Sequence, residues 1–97
     1  MKISEFQNLI KQLYFTKDKE RGLYKTFIWL TEEVGELANL IKAKEIIKEN
    51  VKDELADIIA WTISLANILD IDIEEALLNK YPHKCPICNS LPCKCDD

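Results

Sequence analysis

The chain has 97 residues, 47% hydrophobic and 31% charged, with a formal net charge of -4 at pH 7. That balance describes one globular domain with a limited core and confines disorder to the C-terminal tail. The negative charge argues against general nucleic-acid binding, which needs clustered Lys and Arg. No apolar run approaches a membrane span, and no signal-peptide hydrophobic region follows Met1, so a cytoplasmic protein is expected.

Gly22 and Gly35 are the only glycines, and Pro82, Pro86 and Pro92 all lie near the C-terminus, so nothing punctuates the body as turns between strands would. The body is predicted to be all-α. Ser4 with Gln7 resembles a capping box, and Phe6, Leu9, Ile10, Leu13 and Tyr14 recur at helical spacing, which predicts a first helix over Ser4–Phe15. Lys17 to Gly22 reads as a charged connection. Tyr24, Phe27, Ile28, Leu30, Val34, Leu37, Ala38 and Ile41 then outline a long second helix.

A link over residues 43–48 leads to a third helix, Glu49–Leu69, and Asp72 has the character of an N-cap for a short fourth helix ending before Tyr81-Pro82. The pattern predicts two long and two short helices. Between Leu55 and Leu69 the only polar residues are Asp57, Thr62, Ser64 and Asn67, the signature of a helix buried on several sides. One copy of so small a bundle offers too little cover. The bundle is therefore expected to be completed by oligomerisation, as a homodimer or a dimer of dimers.

Acidic residues interrupt these apolar helices. Glu33 and Glu36 share one helical face, as do Glu54 and Asp57, and two facing pairs would form an all-oxygen cage. Two like charges about 4 Å apart repel by about 4 kcal/mol at an effective dielectric near 20, so the cage needs a cation. Mg²⁺ fits best, with Mn²⁺ as a substitute, and a hard ion that shares its shell with phosphate oxygens points to phosphate chemistry. Glu32-Glu33-Val34-Gly35-Glu36 also parallels Asp53-Glu54-Leu55-Ala56-Asp57, placing Gly35 and Ala56 in matching slots where small residues would let helices approach closely.

The last segment, residues 83–97, carries Cys85, Cys88, Cys93 and Cys95. Four thiols this close suit a tetrahedral structural Zn²⁺ site, and disulfides or free thiols are the alternatives. His83, the only histidine, could replace one thiolate or lie exposed. Neither acidic motif contains a histidine, which argues against a di-iron carboxylate bundle.

The combined pattern, Glu32-Glu33-x-x-Glu36 followed by Glu54-x-x-Asp57, resembles the EExxE and ExxD signature of the MazG-type, all-α nucleoside triphosphate pyrophosphohydrolase superfamily. The flanking Val34-Gly35, Leu37-Ala38 and Leu55-Ala56 are typical of it, and Lys80-Tyr81-Pro82 resembles its domain ending, so residues 1–82 are read as the domain. The resemblance implies Mg²⁺ ligands at Glu33, Glu36, Glu54 and Asp57, and hydrolysis of an NTP or dNTP to a monophosphate and pyrophosphate. Glu32 and Glu33 are both candidates to accept the proton of the attacking water.

Trp29 and Trp61 each lie one helical turn from these carboxylates and are either base-stacking platforms or ordinary core residues. Lys80, Arg21 and Lys25 are the cations singled out for the triphosphate, from a wider set that includes Lys17 and Lys19. The alternative reading is a non-catalytic helical module that binds a partner through its cysteine tail.

Overall fold

The computed structural model describes residues 1–96; Asp97, the last residue of the predicted tail, lies outside them. Four helices follow in chain order: α1 (Ile3–Arg21), α2 (Leu23–Lys42), α3 (Lys48–Ile68) and α4 (Ile73–Lys80), with no strand among the described residues. The all-α, four-helix expectation holds. Three helices are long, however, because α1 runs straight through the segment read as a connection.

Lys17 to Arg21 contains no Pro or Gly, and charge alone does not break a helix. Asp18 and Arg21 pair across one turn at 2.9 Å, and Lys19 and Arg21 suit the negative end of the helix dipole. The break falls at Gly22, whose φ of +88° favours glycine and whose N–H closes on the Asp18 carbonyl.

The predicted capping box also shifts. Lys2 is the N-cap of α1, and its backbone N–H donates to Glu5 Oε1 at 3.1 Å. Gln7 instead joins distant elements: its side-chain amide donates to Asn67 Oδ1 and to the Ile71 carbonyl, and its Oε1 accepts from the Ile73 N–H. A residue suited to local capping is used for tertiary bonding, which sequence spacing cannot distinguish. Asp72 does cap α4, accepting from the Glu75 N–H at 3.1 Å.

Helix α3 is central, packing against both α1 and α2, while α4 packs on α1. Its C-terminal half fits the buried expectation, with Ile63, Ser64, Ala66 and Asn67 all buried. Its N-terminal half does not: Leu55 and Ile59 are exposed, as are Tyr24, Phe27, Ile28, Val34 and Ile41 on α2. Among the described residues the buried apolar core is Ile10, Ile63 and Ala66. Gly35 is not a close-approach point between α2 and α3, since a Cβ added there meets nothing within 4 Å, and Ala56 is also exposed. Helical spacing gives neighbours on one face but not which face turns inward.

Candidate functional site

Helix α2 carries Glu33 and Glu36 one turn apart, and α3, packed beside it, carries Glu54. One carboxylate oxygen from each lies within 4.8 Å of the other two. Glu33 and Glu54 are half-buried and Glu36 is exposed, so the cluster has a protein side and an open side. Asp57 falls outside it, one turn along α3, and Glu32 is exposed on α2 outside it as well.

The cluster is electrostatically strained. The Glu54 carboxyl is pushed up to about 7, first because the proton it keeps bridges to Glu33, next by burial, then by the negative charges of Glu33, Glu36 and Asp57. Its Oε1 is buried without a hydrogen-bond partner. A buried, unpaired carboxylate oxygen beside two more carboxylates is the donor set a hard cation satisfies, so these residues fit Mg²⁺ or Mn²⁺.

Beside the cluster, α1 and α3 enclose a cavity of about 390 Å³ whose walls include Asp57, Trp61, Tyr14, Lys17, Asp18 and Arg21. Trp61 meets Trp29 edge to face, with ring centroids 5.5 Å apart. The Arg21 guanidinium lies 4.8 Å from each ring while donating to Asp18 at 2.9 Å and to the buried Thr26 hydroxyl at 3.3 Å. Arg21 is therefore held as a brace between the tryptophans and the end of α1. Lys25 places its ammonium 5.3 Å from the Trp29 ring, whereas Lys80 sits at the end of α4 over Tyr81 and does not line the cavity.

Tyr14 and Asp18 were legible as site residues, and Lys17 as their neighbour, only if α1 continues to Arg21, which aligns residues 14, 17, 18 and 21 on one face. Reading a connection there hid that wall.

In the tail, Cys85, Cys88, Cys93 and Cys95 bring their sulfurs within 4.8 Å of one another, and His83 is exposed outside the cluster. Amides of Lys94 and Ser90 push the Cys88 thiol down to about 6, and those of Cys88 and Ile87 lower Cys85. Hydrogen bonding to Cys93, Cys88 and Cys85 pushes Cys95 up to about 11. The thiols are unpaired.

The domain is small and all-helical, its paired helices α2 and α3 carry facing carboxylates, and both the acidic group and the thiol cluster could hold a metal ion. Residues 22–89 match the MazG nucleotide pyrophosphohydrolase domain. That is more than half of the chain, which belongs to this family. No curated protein matches it. The matched region contains every acidic residue of the cluster but excludes the α1 wall of the cavity and stops between Cys88 and Cys93.

Proposed function

We propose that this protein hydrolyses a nucleoside triphosphate, NTP or dNTP, to the monophosphate and pyrophosphate. The observation that carries the reading is the convergence of Glu33, Glu36 and Glu54 from two helices with Glu54 Oε1 buried and unpaired. Glu33, Glu36 and Glu54 would hold Mg²⁺, for which Mn²⁺ can substitute, and Asp57 would join them by a side-chain rotation at the cavity edge. The ion would supply charge neutralisation of the triphosphate and acidification of a water.

The chain's own residues do the rest. Glu32 or Glu33 takes the proton of the attacking water. Trp61, held edge to face against Trp29 and braced by Arg21, offers an aromatic wall for a base, with Lys17 and Lys25 as cations for phosphate oxygens. Lys80 would reach the substrate only through a neighbouring subunit or a shift of α4.

The active form is a homo-oligomer, supported by the exposed apolar face of α2 and the N-terminal half of α3. No helix among the described residues is long and apolar enough to cross a membrane, and four unpaired thiols fit a reducing cytoplasm.

The test is release of pyrophosphate and monophosphate from a panel of NTPs and dNTPs with Mg²⁺, beside a Glu36→Gln control. Metal-dependent release that the substitution abolishes is the expected result. Folded protein that releases nothing from any nucleotide would move the reading to a helical interaction module.

A further inference from the structure

We infer that Cys85, Cys88, Cys93 and Cys95 form a closed tetrathiolate site for one Zn²⁺, which fixes the fold of the tail independently of the carboxylate cluster. The argument starts from distances. With Zn–S bonds of about 2.3 Å, the edges of a regular sulfur tetrahedron measure about 3.8 Å. The Cys85 and Cys95 sulfurs stand 3.8 Å apart, and all four lie within 4.8 Å of one another. A disulfide needs about 2.05 Å between sulfurs and joins them in pairs, whereas here four converge on one point.

The backbone is arranged around the same point. Cys85 N–H donates to the Ser90 carbonyl and Asn89 N–H to the Cys85 carbonyl, at 3.0 and 2.9 Å, folding the first cysteine pair into a tight knuckle. Asn89 adopts a φ of 58°, a left-handed conformation that Asn tolerates well. The N–H groups of Lys94 and Cys95 donate to Cys88 and Cys93 sulfurs at 3.3 Å. Amide donors aimed at sulfur stabilise thiolates, the form a metal binds.

A hydrophobic core does not explain this order. No residue from 83 to 96 is buried, and Ile87 and Leu91 are 82% and 81% exposed. A segment with no core needs another source of folding free energy, and a structural metal supplies one. Four thiolates fill a tetrahedral shell and leave no open position for water or substrate, so the site is structural and not catalytic. Soft sulfur ligands also select Zn²⁺ against Mg²⁺, which keeps the two centres chemically separate. Because the family match ends before Cys93, half of this ligand set lies outside the matched region.

The experiment uses the full chain, purified under reducing conditions. Expected are one Zn²⁺ per chain by elemental analysis, X-ray absorption showing four sulfur neighbours, and loss of the metal in Cys88→Ser and in Cys93→Ser. Glu36→Gln should keep its zinc, and far-ultraviolet circular dichroism should show the helices intact in every variant. Zinc retained in both cysteine variants, an oxygen-containing shell in the wild type, disulfides in the intact mass, or four titratable thiols with no metal after Zn²⁺ is offered would each overturn the assignment. The absorption measurement needs no variant, so a misfolded substitution cannot shield the proposal.

Discussion

The acidic cluster and the thiol cluster both gather their donor atoms within 4.8 Å, yet they are held in opposite ways. Glu33, Glu36 and Glu54 ride on α2 and α3, and the packing of two long helices brings them together. The four cysteines lie within eleven consecutive residues that bury nothing, so their geometry depends on local turns and on whatever they bind. One site is a rigid frame that stores charge repulsion for use; the other is a short chain segment that a metal would itself complete.

The largest expected effect separates storing repulsion from using it. Glu54→Gln removes one of the mutually repelling carboxylates, so nucleotide hydrolysis should fall on the order of 10³-fold or more through loss of metal. The metal-free variant should nevertheless melt above the metal-free wild type at neutral pH, because the Glu54 carboxylate is costly when unpaired. A drop in both quantities would mean that Glu54 supports the frame and does not strain it. Differential scanning fluorimetry with and without Mg²⁺, beside the activity assay, separates the outcomes.

The next effect is a pH dependence confined to the acidic site. Glu54 holds its proton up to about 7, above its ordinary carboxylate value, so a cation must displace that proton. Mg²⁺ affinity should rise with pH by up to about tenfold per unit below 7 and flatten above it. Stability runs the other way in the metal-free protein. A carboxyl whose folded pKa is raised stabilises most below its unfolded value, and that contribution is lost as pH climbs from 4.5 through about 7. Saturating Mg²⁺ should flatten this decline. Calorimetric Mg²⁺ titrations at stepped pH check the first half and thermal melts the second; a flat affinity would place the proton elsewhere.

The same contrast explains what the sequence made legible. The cysteine spacing was visible because all its ligands are local. Glu33, Glu36 and Glu54 were visible as a group because helical spacing sets carboxylates in the middle of two apolar helices, whereas Asp57, paired with Glu54 by the same spacing, falls outside the group. What escaped was where the first helix stops and which side of a helix turns inward, whereas the Asp72 cap and the end of the fourth helix before Tyr81 were read correctly. Ending the first helix at Phe15 left Lys17 and Arg21 as scattered candidate cations and Asp18 unnoticed, although Tyr14, Lys17, Asp18 and Arg21 form one wall of the cavity. Gln7 looked like a cap and is a tertiary fastener, because an amide serves either purpose and only the position of Asn67 decides. Surplus apolar surface was expected on the third helix, and the structure exposes it along α2 as well as at Leu55 and Ile59 of α3.

A small effect tests the independence of the tail. Cys88→Ser should leave nucleotide hydrolysis within about twofold of the wild type while abolishing tail zinc, as expected of sites that share no partners. Loss of hydrolysis in a variant with intact helices would show that the tail reaches a substrate or subunit contact, and the two regions would no longer be separate.

The smallest expected effect lies in the frame itself. Gly35 stands inside α2 between Glu33 and Glu36, with ordinary helical φ and open space where a Cβ would go. Gly35→Ala should therefore restrict the unfolded chain without clash and stabilise the protein by about 0.5–1 kcal/mol, with zinc content unchanged. The carboxylates on either side should keep their positions, so hydrolysis should also be preserved. A destabilised Gly35→Ala protein would instead mean that a partner subunit packs its backbone against this glycine. The exposed face of α2 would then be a close helix–helix contact, and the rigidity assigned to two helices of one chain would belong to the assembly.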